Sequence, residues 1–200
     1  MPKQGMEPLR RSALVEATIH EIGEHGSLDV TVSQIAKRAG MSSALAHHYF
    51  GSKDQMFTAA MRHILSLYGA EARGALAMAR TPRDRIEAII RASFAPSQFQ
   101  SETVSAWLNF YVQAQTSPAA QRLLNIYQRR LRSNLRYAVR AACGNRPELT
   151  QELTRGLAAM IDGLYLRQAL TDTPLGGQEA VDLLMNYAER ALNDSKGPMP

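Results

Sequence analysis

Residues 31–53 read TVSQIAKRAGMSSALAHHYFGSK, and this stretch decides the fold of the N-terminal part of the chain. Thr31 and Gln34 have the spacing of a capping box, which predicts that a short helix begins here and ends at Gly40. Ser42 can cap a second short helix. Gly40 supplies the permissive backbone that a tight turn between the two helices needs. The pattern predicts a helix-turn-helix, in which the second helix enters the major groove of DNA.

Apolar residues in the rest of the chain recur with helical spacing, and no segment alternates with a period of two. Capping residues, prolines and glycines divide the chain into about nine helices, so the predicted fold class is all-α. Residues 1–53 are predicted to form the helix-turn-helix domain and residues 54–194 a larger helical domain, with a disordered tail at 195–200. The predicted helices cover about residues 8–25, 31–40, 42–49, 52 onward, 81–96, 101–115, 117–144, 147–171 and 177–193.

The composition is ordinary for a globular protein, with 45% hydrophobic and 20% charged residues and a net charge of +5. So mild a basic excess permits binding to a polyanion without proving it. Cys143 is the single cysteine, which excludes an intramolecular disulfide. The N-terminal segment lacks the apolar core of a signal peptide, and no apolar run approaches the length of a membrane span. We therefore expect a soluble, cytoplasmic protein that does not enter a membrane.

The second helix of the predicted pair, SSALAHHY, is short, uncharged and polar on one side. Serine and histidine side chains bond to base edges or to phosphates, so the base sequence that they read stays open. The Tyr49 phenol and the Lys53 ammonium group lie where the chain enters the next helix, and together they can bind one phosphate. The N-terminus of the first helix of the pair, at Thr31 and Gln34, is a second candidate phosphate site, because its free N–H groups bind anions. The residues predicted to contact DNA are Thr31, Gln34, Ser42, Ser43, Ala44, His47, His48, Tyr49 and Lys53.

The same pattern also fits an ordinary helical bundle, because short helix pairs with a glycine turn occur there too. Adjacent histidines such as His47 and His48 are commonly plain surface residues. Residues 1–53 carry six Lys or Arg against five Asp or Glu, a difference of +1. The affinity for DNA would therefore depend on where those charges lie.

A longer stretch, TVSQIAKRAGMSSALAHHYFGSKDQMF, resembles the signature of the TetR family of repressors. Ala44 stands where glycine is common in that family and His47 where tyrosine is usual, and these departures concern base readout rather than the fold. The resemblance implies an all-helical repressor of nine helices, in agreement with the helix count above. The matching residues are Thr31, Ile35, Ala36, Ala39, Gly40, Ser42, Phe50 and Lys53.

Three further segments lie outside the helix-turn-helix and resemble one branch of that family: MPKQGMEPLRRSALVEAT, AWLNFY and GLAAMIDGLYLRQAL. Members of this branch repress the genes that convert choline to the osmoprotectant glycine betaine. The resemblance implies that double-stranded operator DNA is one partner of the chain. It also implies that choline or a related quaternary ammonium compound relieves repression.

A quaternary ammonium group donates no N–H hydrogen bond, and proteins hold it with aromatic faces, often beside a carboxylate. We expect Trp107 and Asp162 to hold the cation, although aromatic residues at helical spacing are commonly plain core. Asp162 can instead pair with an arginine such as Arg155 or Arg167. The predicted ligand residues are Trp107, Phe110, Tyr111, Asp162 and Tyr165, with Phe94 and Tyr127 as further candidates.

A single helix-turn-helix reads too few base pairs for tight binding, and two copies on a symmetric site, about 34–36 Å apart or a multiple of that distance, overcome this limit. We expect a homodimer in which the last two predicted helices pair with their symmetry mates as a four-helix bundle. Packing inside one subunit would satisfy the same pattern. The residues that suggest the interface are Gly156, Ala159, Gly163, Ala180, Leu183, Leu184, Tyr187 and Ala191.

Residues 103–147 contain seven arginines and no Asp or Glu. Since charged helix faces usually meet solvent, we expect these arginines to form the solvated side of the helix predicted for residues 117–144. A surface that meets an acidic partner is the second interpretation.

Other functions also fit parts of the sequence. A TetR-type regulator of a drug or a fatty compound would need a larger, apolar cavity. An enzyme that uses His47 or His48 as a base finds no support, because the sequence has no nucleophile elbow, phosphate loop or metal-ligand spacing. A purely architectural bundle would show no sequence-specific DNA binding. We therefore predict no catalytic site, metal or cofactor.

Overall fold

The computed structural model describes residues 5–194 and shows ten helices there and no strand. The predicted all-α class is thereby confirmed. The tail at 195–200 lies outside the described residues. The helices are α1 (Met6–His25), α2 (Val32–Arg38), α3 (Ser43–Phe50), α4 (Lys53–Met78), α5 (Pro82–Ser93), α6 (Pro96–Phe99), α7 (Ser101–Gln113), α8 (Pro118–Cys143), α9 (Pro147–Leu170) and α10 (Gly177–Asp194).

All nine predicted helices are present, and α6 is an additional one of four residues. The sequence predicts that Pro96 ends the helix that becomes α5. In the structure α5 ends at Ser93, and Pro96 is the first residue of α6. Pro96 can both stop one helix and start the next, because proline lacks the N–H that a helix interior needs but fits the first helical position.

Capping explains where several helices begin. The Thr31 hydroxyl accepts a hydrogen bond from the Gln34 N–H, while the Gln34 side chain accepts one from the Thr31 N–H, which confirms the predicted capping box of α2. Thr81 and Asp84 form the same arrangement at the start of α5. Hydrogen bonding to Thr81 lowers the pKa of Asp84.

The chain divides into two compact units. Unit 1 comprises the residues up to Ser66 together with Gln100–Leu123, and unit 2 comprises Leu67–Phe99 and the residues from Leu124 onward. The helix-turn-helix lies in unit 1. No helix in the part of the chain that the structure describes is long and apolar enough to cross a membrane.

Unit 1 is built around α1, which packs against α2 and α7, while α2 packs against α3. Gly23 lets α1 and α7 cross closely, because a Cβ atom at this position would overlap Glu102. Arg38 of α2 forms ion pairs with Glu21 and Glu24 of α1, and its hydrogen bond to Glu21 raises the pKa of the Arg38 guanidinium. The core of the unit contains Leu14, Ile22, Ile35, Ala46, Phe57 and Phe110.

Unit 2 is organised by α10, which packs against α5 and α9. Gly156 of α9 lies so close to Tyr187 of α10 that a Cβ atom would overlap the phenol ring. An ion pair between Arg83 and Glu189 also links α5 to α10. The core of the unit contains Ile86, Ile89, Leu135, Leu153, Ile161 and Leu184.

Candidate DNA-binding surface and effector site

The turn between α2 and α3 has the geometry of a helix-turn-helix. Gly40 adopts a left-handed backbone with φ 67°, and the Met41 N–H donates to the Ala36 carbonyl oxygen at 2.8 Å. Ser42 then caps α3, since its hydroxyl accepts a hydrogen bond from the Leu45 N–H at 3.2 Å. The three features fix the direction of α3 relative to α2, as the sequence predicts.

One side of α3 is exposed to solvent. Ala46 is fully buried, whereas Ala44, His47 and His48 are exposed and Ser43 is half-buried. The His47 Nδ1 atom lies 2.9 Å from the Gly51 carbonyl oxygen. Because a carbonyl oxygen only accepts, Nδ1 is the donor of this hydrogen bond, and in a neutral imidazole Nε2 is then an acceptor. Such an atom can accept from the amino group of adenine or cytosine.

The predicted phosphate-binding residues are partly engaged within the protein. Lys53 donates one of its protons to the Leu28 carbonyl oxygen at 2.8 Å, which leaves two further donors on the ammonium group. Thr31 and Gln34 are occupied by the capping box. The Ser43 hydroxyl lies 3.0 Å from that of Ser33, so the two helices of the motif share a polar contact at the surface.

Two arginines of α1, which were not among the predicted DNA-binding residues, lie beside α3. Arg10 donates to the Tyr49 hydroxyl at 3.4 Å. The Arg11 guanidinium lies 5.6 Å from the centre of the Tyr49 ring and 5.2 Å from that of Phe50. The sequence signal for this contact is weak. It consists of two adjacent basic residues on the first helix and two adjacent aromatic residues at the end of the third.

The predicted ligand residues fall into two groups. Trp107, Phe110 and Tyr111 of α7 lie in unit 1, and Asp162 and Tyr165 of α9 lie in unit 2. The Trp107 ring is 5.9 Å from Phe110 and 5.7 Å from Tyr111, between centroids. The joint role of Trp107 and Asp162 stays a prediction.

Unit 2 contains a buried set of rings, here called the aromatic cluster. Phe94 and Phe99 meet edge to face with centroids 5.0 Å apart, and both lie within 6 Å of Tyr165, at 5.8 and 5.4 Å. Tyr68 and Tyr127 form a second edge-to-face pair at 5.8 Å. The aromatic cluster consists of Tyr68, Phe94, Phe99, Tyr127 and Tyr165, each of which is buried.

Two carboxylates accompany the aromatic cluster. Burial raises the pKa of the Tyr165 phenol, and the negative charges of Glu71 and Asp162 raise it further. The Glu71 Oε1 atom accepts a hydrogen bond from the Ser97 hydroxyl at 2.6 Å. The other oxygen, Oε2, is buried and has no hydrogen-bond partner among the described residues. A buried carboxylate oxygen without a donor is costly, which makes this position receptive to a cation.

Three members of this site were not predicted from the sequence. Tyr68 and Glu71 are three residues apart on α4, a spacing that puts them on one face of a helix. Phe99 belongs to α6, the helix that the sequence did not predict. Asp162, Tyr165, Phe94 and Tyr127 were among the predicted ligand residues and all lie in unit 2.

Comparison with known proteins identifies the family. Residues 14–60 match the bacterial regulatory proteins of the tetR family, and residues 82–193 match the C-terminal part of BetI-type transcriptional repressors. The chain belongs to the TetR family, in its BetI-type branch. This family comprises transcriptional regulators, so the predicted class of function is confirmed.

Relatives of this BetI-type chain match it from end to end. The HTH-type transcriptional regulator BetI of Rhizobium meliloti is 50% identical over 203 residues, which cover 100% of this chain and 99% of the relative. BetI of Brucella anthropi is 51% identical over 98% of this chain and 100% of its own length. A transcriptional regulator from Saccharomonospora viridis, crystallised in complex with choline, has the same fold with a TM-score of 0.80. That structure is 21% identical and covers 90% of this chain and 95% of its own.

The residues predicted for a dimer interface of this BetI-type chain differ in exposure. Ala180 and Leu184 of α10 are buried, and Gly156 packs against Tyr187 of the same chain, as expected for packing inside one subunit. Other residues remain open to solvent. Nothing lies within 4 Å of the Cβ position of Gly163, and Leu183 is 48% exposed.

Proposed function

We propose that this chain represses the genes that convert choline to glycine betaine, and that choline or a related quaternary ammonium compound releases it from the operator. Membership of the BetI-type branch supports the class of target genes. The choline complex of a protein with the same fold supports the effector. The aromatic cluster and Glu71 provide the chemistry that such a cation requires.

The observation that carries the effector proposal is the Glu71 carboxylate. Its Oε2 atom is buried without a hydrogen-bond donor among the described residues, a few residues from Tyr68 on the same helix. A quaternary ammonium group offers positive charge and no N–H, so it compensates a carboxylate without hydrogen bonding to it. A cation over an aromatic face gains about 0.5–1 kcal/mol at an exposed site and about 2 kcal/mol when desolvated. Tyr165, Phe94 and Phe99 supply such faces.

Calorimetry with two ligands tests this proposal. Choline and 3,3-dimethyl-1-butanol have the same shape, but only choline is charged. We expect Glu71→Gln to weaken choline binding about tenfold, the effect of losing about 1.4 kcal/mol, and to leave the neutral alcohol unaffected. Glu152→Gln, which changes an exposed carboxylate of α9, is the matched control and should change neither affinity.

Two results would contradict the cation site. Equal binding of choline and the alcohol by the unchanged protein would mean that charge plays no part. Unchanged choline affinity in Glu71→Gln would show that Glu71 is not part of the site. If Trp107→Leu were the only variant to lose choline affinity, the cation would bind in unit 1 instead.

We also propose that α3 is the recognition helix. Ser43, His47 and His48 present hydrogen-bonding groups from its open side, and Ser42 lies at its N-cap. Arg10, Arg11 and the free donors of Lys53 supply positive charge for flanking phosphates. Arg38 is held by two glutamates, Glu21 and Glu24, whereas Arg11 pairs only with the exposed Glu7 of its own helix, so we expect Arg38 to contribute less to phosphate binding than Arg11.

The dimer is proposed to form through α9 and α10, with the first of these supplying an apolar strip. Ala159, Gly163, Leu166 and Leu170 follow one another at intervals of four, three and four residues, which places them on one face of α9. Leu166 is 50% and Leu170 74% exposed. Sedimentation should show a dimer that Leu166→Glu dissociates, whereas Val112→Glu, at an exposed apolar residue of α7, should leave it intact.

The communication between effector and DNA is proposed to pass through α4. This helix begins at Lys53, directly after the recognition helix α3 in the sequence. Tyr68 and Glu71 of the proposed effector site lie in its second half. A ligand shifts an equilibrium between two conformations only by its difference in affinity for them. Choline binding must therefore be weaker in the operator-bound state than in the free state, and operator DNA must lower the choline affinity by the same factor.

A further inference from the structure

The arginine-rich segment lines a groove that the proposed function does not use. A groove of about 870 Å³ lies between the second half of α8 and the first turns of α9, entirely in unit 2. This volume is within the range of small-molecule sites. We call this groove the arginine groove, because six arginines line it: Arg129, Arg132, Arg136, Arg140, Arg146 and Arg155.

The spacing of these arginines concentrates positive charge along one line. Arg129, Arg132, Arg136 and Arg140 follow one another at intervals of three, four and four residues, so they form a stripe on α8. Arg155 joins them from α9. The lining residues that the structure describes include no Asp or Glu. Like charges at such spacing repel one another, and an anion in the groove would relieve the repulsion.

The groove arginines are also available to a ligand. Arg146 is engaged, since its Nε donates to the Cys143 carbonyl oxygen at 2.8 Å. The other five form no ion pair or hydrogen bond with the residues that the structure describes. By contrast, Arg38 and Arg83 are neutralised by ion pairs with glutamates.

A buried hydroxyl at the wall of the groove provides independent evidence. Thr154 lines the groove and is 5% exposed, yet its Oγ1 atom has no hydrogen-bond partner among the described residues. Thr150, one turn earlier, satisfies its hydroxyl by donating to the Arg146 carbonyl oxygen at 2.8 Å. An unpartnered hydroxyl at this depth is costly, and a ligand oxygen would satisfy it.

We propose that the arginine groove is a second ligand site, which binds a small anion carrying a chain of two or three phosphates. Guanidinium groups match phosphate oxygens with paired N–H donors, and several arginines in a row suit consecutive phosphates. Ser133, Asn145 and Gln151 add neutral hydrogen-bonding groups to the lining. The groove is concave and of small-molecule size, which favours a compact anion over a duplex.

Calorimetry at constant ionic strength tests the site, with inorganic tripolyphosphate as the probe and with ADP and ATP as separate ligands. We expect saturable binding with one site per chain. Arg136→Gln combined with Arg140→Gln should weaken it by about tenfold or more, because charge-assisted hydrogen bonds are lost. Arg130→Gln, an exposed arginine of α8 outside the groove, should leave the affinity unchanged. Tighter binding of ATP than of tripolyphosphate would identify a nucleotide as the source of the phosphates, and the reverse would identify free polyphosphate.

Thr154→Val distinguishes a ligand role from a structural one. Valine keeps the shape and removes the hydroxyl, so the unliganded protein should unfold at the same temperature or higher, while tripolyphosphate binds several-fold more weakly. Absent binding, equal affinity for sulfate, or equal losses in the groove variant and Arg130→Gln would overturn the proposal. Displacement of tripolyphosphate by a non-specific DNA duplex would assign the groove to nucleic acid and overturn it as well.

Discussion

Replacing Tyr165 by phenylalanine should separate the structural role of its hydroxyl from the ligand role of its ring. The Tyr165 hydroxyl donates to the Ser93 carbonyl oxygen, and Ser93 is the last residue of α5. Carbonyl groups in the last turn of a helix have no partner within the helix, and Ser93 is 1% exposed. Phenylalanine would leave this buried acceptor unsatisfied, at a cost of about 1–3 kcal/mol in the free energy of unfolding.

Urea denaturation followed by circular dichroism measures this change. With a slope of about 2 kcal/mol per molar urea, the midpoint should fall by roughly 0.5–1.5 M at an unchanged slope. Choline affinity should change little, since the ring remains. Tyr137→Phe, at a tyrosine that is 68% exposed, is the matched control at the same protein concentration. An unchanged midpoint, or a tenfold loss of choline affinity without loss of stability, would refute the reasoning.

Three other variants or conditions test single features of the fold. Gly40→Ala places a side chain at φ 67°, so it should lower the free energy of unfolding by about 1–2 kcal/mol in thermal melts and weaken operator binding in parallel. Thr31→Ala removes the capping box of α2 and should cost about 1 kcal/mol, with full stability retained in Thr31→Ser as the control. Burial raises the pKa of Tyr68 and Tyr165 above the ordinary value of 10.0, so the native state keeps protons that the unfolded chain loses. Stability should therefore fall above pH 10 by up to about 1.4 kcal/mol per pH unit for each phenol, and Tyr68→Phe should make the decline shallower; an identical slope would contradict this.

Local signals made the helices predictable. The capping box at Thr31 and Gln34, the Thr81-Pro82 start and the glycine turn at Gly40 depend on residues a few positions apart. Their hydrogen bonds form inside one element and its cap, so sequence order already brings the partners together. The helix-turn-helix was predictable for the same reason.

The aromatic cluster was only partly predictable, because its members come from separate elements. Asp162 and Tyr165 are neighbours on one helix turn, and their spacing indicated a site. Phe99 joins them only because a four-residue helix begins at Pro96, and Tyr68 only because α4 contributes to unit 2. Contacts between residues of separate helices follow from tertiary packing, which the helical period alone does not determine.

The exposure of the α1 arginines shows a second limit of sequence reasoning. Arg10, Arg11 and Arg38 count equally in the net charge of residues 1–53. In the structure Arg38 is paired with two glutamates and Arg11 with one, Glu7, while Arg10 and Arg11 lie against the aromatic residues at the end of α3. A sum of charges does not reveal which of them face a ligand, and this placement determines the affinity for DNA.

Footprinting of the DNA upstream of the chain's own gene, with and without choline, tests the central claim most directly. If α3 enters the major groove and choline controls that contact, two protected blocks should appear, separated by a multiple of one helical turn of about 34–36 Å, and should disappear as choline is added. His47→Ala with His48→Ala should weaken the protection while the helical content stays unchanged. No protection of any fragment at low ionic strength without choline would contradict the account.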